Sequence, residues 1–184
     1  MKPTHTKTTQ TSHSVRGNSE HANYPRASFF RRLGAIVYDA LLAVAVYMIA
    51  GAIGFGIFTG LVSLNLLNMN GFDHVSDLLN GTALYKSLYQ FWLVLCVGLF
   101  YISFWSYGGQ TLGMRAWRLK VQHPNGQSLS MITASARLIY SLLGLGNIWI
   151  ILNTDKLALQ DSMTRSEVVV LSAEANQLRN WRGV

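Results

Sequence analysis

Apolar residues fill positions 33 to 62 almost without interruption, and Asp39 is the one charge among them. An arginine pair, Arg31-Arg32, stands immediately before the run. As a helix the run would be about 45 Å long, more than the ~30 Å hydrocarbon core of a bilayer requires, so it must tilt or project. Its second half carries Gly51, Gly54, Gly56 and Gly60. The Gly56–Gly60 spacing suits close helix packing, with a kink or a fraying end as the alternative. Residues 63–86 turn polar, with Asp73, Asp77 and Lys86, and read as a loop. Leu88–Tyr107 is again apolar and uncharged and predicts a second span, with Trp92 and Trp105 as an interfacial aromatic belt.

The third apolar stretch, Met131 to Leu152, holds Arg137 near its start and a Gly-Leu-Gly-Asn break at 144–147. It reads either as a simple crossing or as a segment that turns back. Upstream, Trp117, Leu119 and Val121 alternate with Arg118 and Lys120, which predicts a strand. Downstream, Glu167–Leu171 is a second strand candidate. If the two pair they share one side of the membrane, and the stretch between them turns back at Gly144–Asn147. Such irregular backbone is tolerated only where protein or water covers it. The hairpin is the reading adopted here. The expected fold is an all-α integral membrane protein with about three membrane helices, the third re-entrant or hairpin-like, and a short cytoplasmic strand pair. Residues 1–28 lack apolar periodicity and read as a disordered polar, basic tail. Residues 29–171 form the membrane domain, and 172–184 a second tail. The first apolar run starts too late and is too long for a cleaved signal peptide.

Composition narrows the function classes. Only 12% of the 184 residues are charged and half are hydrophobic, against about 25% charged in a soluble domain. The net charge of +7 comes largely from the amino-terminal flank, where six of fifteen basic residues precede position 33. One lies in 63–86 and three in 108–130. That asymmetry places the amino terminus and the 108–130 loop in the cytoplasm. No basic stripe interleaves with aromatics, so nucleic acid is not an expected partner. The lone Cys96 has no partner cysteine and reads as packing. His5, His13 and His21 are too widely spaced for a compact metal site, and His74 and His123 have no nucleophile motif beside them. No catalytic residue, metal or cofactor is expected, and Gly109–Arg115 lacks the Lys-Ser/Thr ending of a phosphate loop. Arg115, Arg118 and Lys120 are expected to contact lipid phosphates.

Four blocks carry a family resemblance: RRLGAIVYD with Arg32 and Asp39, GQTLGMRAWRLKV from Gly109 to Val121, PNGQSLSMITASAR with Asn125, Gly126 and Arg137, and LALQDSMTRSEVVV with Asp161. In this order over residues 26–171 they resemble the RDD family of small prokaryotic membrane proteins, named for one arginine and two aspartates. The resemblance implies a bacterial cytoplasmic membrane and, for some members, transport of ions or small ligands. Gly109, Thr111, Gly113 and Arg115 match its loop motif. The chain departs where the family often has histidine (here Gln160), a Gly-Thr pair (Arg165-Ser166) and a glycine (Arg118). The first departure removes the histidine that a histidine–aspartate proton relay would need.

A buried membrane charge costs about 3 kcal/mol on insertion scales, so Asp39 has either a functional or a structural partner. Arg32 and Asp39 share a helix face but are separated by about 10.5 Å of rise, too far to pair. The expectation is that Arg137 meets Asp39 and that Arg32 meets Asp161. Two function classes follow. One is a secondary carrier for protons, monovalent cations or another small ligand, assembled from several copies or with a partner membrane protein. The other is an accessory or scaffold protein whose charges lock the fold and whose cytoplasmic face docks a partner.

Overall fold

The computed structural model describes residues 24–152 and 155–177, without the side chains of 142–144 and 152. The expected tail histidines His5, His13 and His21, and residues 178–184 of the second tail, lie outside the described residues. The chain divides into two compact units: residues up to Asp39 together with Ile102 onward, and Ala40–Tyr101. Helix α1 spans Phe29–Ser63, α2 Val75–Gly81 and α3 Ala83–Tyr107. Helix α4 covers Leu112–Ala116 and strand β1 Leu119–Gln122. Helix α5, Met131–Ser141, runs into a 3-10 segment at Leu142–Ile148 and α6 at Trp149–Leu152. Helix α7 is Leu159–Met163 and strand β2 Glu167–Val170.

Helices α1 and α3 are long and apolar enough to cross a membrane. No proline interrupts either. Their large side chains face outward, as lipid-facing residues do: Met48, Ile49 and Val94 are all exposed. Helix α1 ends in a left-handed residue, Asn65 at φ 58, with Leu66 N donating to Leu61 O and Asn65 N to Val62 O. This six-to-one and five-to-two pattern caps the orphan carbonyls.

In the Ala40–Tyr101 unit, α3 binds the backbone of α1. Tyr89 Oη donates to Gly51 O at 3.0 Å and Trp92 Nε1 to Ala50 O at 2.9 Å. A Cβ on Gly54 would stand 2.9 Å from the Trp92 ring. The close-packing glycines are therefore Gly51 and Gly54. A Cβ added at Gly56 or Gly60 would meet nothing within 4 Å, so within this chain those two glycines are not the packing pair. Trp92, expected in an interfacial belt, gives its indole N–H to an α1 carbonyl. The expected 63–86 loop contains α2, whose Leu78 and Leu79 are buried, and the second span starts at Ala83 rather than Leu88.

In the other unit, β1 and β2 pair antiparallel with Leu119 opposite Val170 and Gln122 opposite Glu167. The segment entering α1 lies on the other edge of β2: Ala27 N donates to Val168 O at 2.8 Å and Val170 N to Pro25 O at 2.9 Å. Ala27, Ala35, Met114, Leu119, Val121 and Val168 form the core, with Trp105 packed on it. The expected strand pair exists, but β1 begins two residues late. Arg118 at φ 57 breaks the strand there, and Trp117 turns onto Gly34, whose Cβ would collide with its ring. The third stretch bends by 76° between Met131–Ser141 and Leu145–Ile151, at the Gly-Leu-Gly-Asn break. Among the described residues there are thus two candidate spans by length and composition, or up to three if the bent pair counts as one.

Candidate functional site

Asp161 sits in the first turn of α7, where its Oδ2 accepts the Ala158 backbone N–H at 3.0 Å. A carboxylate there satisfies an orphan amide of the helix start. Both oxygens also meet arginines: Arg32 Nη1 at 2.6 Å on Oδ2 and Arg137 Nη2 at 2.6 Å on Oδ1. Asp161 is 1% exposed and each arginine 3%. Burial alone would push the Asp161 carboxyl up, but the Arg137 and Arg32 charges and the Ala158 amide outweigh it and hold the group below the usual carboxylate range.

Two guanidiniums on one carboxylate leave a surplus positive charge, and neutral groups share it. Arg32 donates to Ala27 O at 3.4 Å and to Lys156 O at 3.2 Å. Arg137 donates to Ser166 Oγ, and its guanidinium lies 5.7 Å from the centroid of Trp105. This cation–π contact, with Trp105 on the core, corrects the reading of Trp105 as a lipid belt.

The Arg32–Asp161 pair is as expected; the Arg137–Asp39 pair is not. Arg137 meets the carboxylate that Arg32 holds, at the level of the first turn of α1. Asp39 lies two turns further along the helix. It accepts Thr111 Oγ1–H on Oδ2 at 2.5 Å and Gly113 N–H on Oδ1 at 2.9 Å. Thr111 Oγ1 also accepts Met114 N–H at 3.1 Å as the α4 cap. Gly113 must be glycine, since a Cβ would come within 2.5 Å of Ala35 O and 2.6 Å of Asp39 Oδ1.

The rest of the loop motif fastens the chain to itself. Gly109 adopts φ +66, and a Cβ there would meet Val121 O at 2.5 Å. Gln110 donates to Leu119 O at 2.7 Å and to Asn176 Oδ1 at 3.0 Å. Arg115 Nη2 donates to Asn176 O at 3.3 Å, which ties its guanidinium to the carboxy-terminal segment. The lipid-phosphate expectation fails at Lys120. It is 4% exposed, because β1 is covered on both faces, and among the described residues its ammonium has no hydrogen bond or ion pair. Burial pulls that ammonium below the usual lysine range. Of that trio Arg118 remains exposed.

Sequence reasoning missed three participants. Glu167 pairs with Arg26 at 3.1 Å while buried. Asn176 was invisible as one polar residue in a tail. Gln160 donates to Asn147 Oδ1 at 3.1 Å, and Gly146 lies against its amide oxygen. The only signals for that contact were the missing histidine and the break motif. Among the described residues, no group of three or more His, Cys, Asp or Glu is arranged to hold a metal ion.

Two long apolar helices and a buried Arg–Asp–Arg cluster beside a small sheet define a multi-pass integral membrane protein. The chain belongs to the RDD family, whose family model matches residues 26–165. No curated protein and no solved structure matches it.

Proposed function

We propose that this RDD protein is a non-catalytic, non-transporting accessory or scaffold component of a bacterial cytoplasmic membrane. In this reading its charges lock the fold and its cytoplasmic face docks a partner. One observation carries the reading: both oxygens of each signature carboxylate are taken by groups that build the fold. Asp39 receives the α4 start, and Asp161 receives two arginines and the α7 start. Six basic residues before position 33 support a cytoplasmic amino terminus.

The carrier reading has one observation in its favour. Asp39 is held by a hydroxyl and an amide and not by Arg137, so a proton or cation exchanging there need not break that arginine's ion pair. Asp39→Asn and Thr111→Val separate the two readings. A hydrogen bond to a charged group contributes about 1.5–3 kcal/mol, and each variant is expected to lower unfolding stability in detergent by that order. An Asp39→Asn protein of wild-type stability that has lost an ion flux present in wild type would overturn the scaffold reading.

A further inference from the structure

We propose that Met131–Leu152 is a re-entrant hairpin that enters and leaves the bilayer on the face carrying the β1–β2 sheet, with its exposed apolar side against the acyl chains of that single leaflet. The first support is connectivity. The segment lies between β1 and β2, which pair over four residues, so both of its ends belong to one side of the membrane. A single crossing is incompatible with that ladder.

The return path is also short. Only three residues separate Leu152 from Lys156. The carbonyl of Lys156 accepts from Arg32 at 3.2 Å, and that of Asp155 accepts from Arg26 at 3.2 Å. Four residue steps reach at most about 14 Å, half the ~30 Å core. Leu152 therefore lies within half a bilayer thickness of Lys156, the residue whose carbonyl Arg32 binds. The outward limb fits the same depth: the eleven residues of α5 rise about 16 Å before the 76° bend.

The level of the hairpin follows from Asp161, which ties Arg137 on α5 to Arg32 on the first turn of α1. At that level α1 exposes Phe30, Leu33 and Val37, part of a membrane-crossing helix. The hairpin has an exposed apolar side of its own, with Ile132 (83% exposed) and Ile139 (71%). Its opposite side, Ala134, Arg137 and Ser141, is buried. A side chain as apolar as isoleucine, exposed at the level of the first turns of a membrane-crossing helix, has acyl chains as its neighbour.

The test uses the full-length protein with Cys96→Ser, which leaves no native thiol. Single cysteines Gln127→Cys and Ala173→Cys flank the segment, with Asn125→Cys and Glu174→Cys as second choices should either fail to fold. With a membrane-impermeant maleimide, both flanks are expected to label in the same vesicle orientation and to be protected in the other. Labelling from opposite sides would overturn the hairpin. Nitroxides at Ile132→Cys and Ile139→Cys in bilayers report the occupant. Oxygen collisions exceeding those with a water-soluble nickel complex are expected. Nickel access would mean a water-facing surface, and protection from both reagents would mean a second copy or another protein; either would overturn the lipid assignment.

Discussion

At Gly113 the demand is steric and electrostatic together: its N–H binds Asp39 where a Cβ would strike Ala35 O. Overpacking of this kind costs about 1–3 kcal/mol, so Gly113→Ala is expected to lower denaturant stability by that order. Arg118 and Arg165 show the converse. Both stand at positive φ, 57° and 47°, where the resembling family favours glycine at one position and a Gly-Thr pair at the other. A non-glycine residue held in that region costs of order 1–3 kcal/mol, and glycine's greater unfolded-state freedom offsets about 0.4–1 kcal/mol. Arg118→Gly and Arg165→Gly are each expected to raise the unfolding midpoint; a fall at either would contradict this. The two departures were legible in the sequence. Their meaning was not, because backbone handedness depends on the turn each residue closes.

Three elements, α1, α5 and α7, converge on one carboxylate. The Arg32–Asp161 contact was readable because an arginine at the start of a span and an aspartate before a returning strand both belong near the interface. The partner of Arg137 was not, because its depth depends on where α5 bends. Helix α2 was hidden for a related reason: its buried pair, Leu78-Leu79, is too short to register a helical period. The strand pair was legible from alternation and a valine run, but not the burial of Lys120 on its second face. The folded Asp161 carboxyl titrates below its unfolded value of about 3.9. Its stabilisation is therefore fully present above that pH and is lost as pH falls through the lower folded value. Asp161→Asn leaves two buried guanidiniums without their counter-charge, a loss of about 3–5 kcal/mol. It should also remove part of the acid limb of a stability-against-pH curve. An unchanged limb would contradict the ion-pair assignment.

For the molecule as a whole, the apolar pattern was enough to identify a multi-pass membrane protein, since both long spans are continuous in the sequence. The Asp39–Thr111 and Arg32–Asp161 contacts join residues 72 and 129 positions apart, and no local periodicity encodes them. Those contacts underlie the central claim that the RDD charges hold structure in place and do not move ions. Proton flux tests it most directly, with wild-type protein in proteoliposomes loaded with an internal pH dye, pulsed with sodium, potassium or lithium and compared with empty liposomes. The expected result is the same trace as empty liposomes from protein whose folding is verified in the same vesicles. Cation-dependent flux that Asp39→Asn abolishes without loss of folding would contradict it.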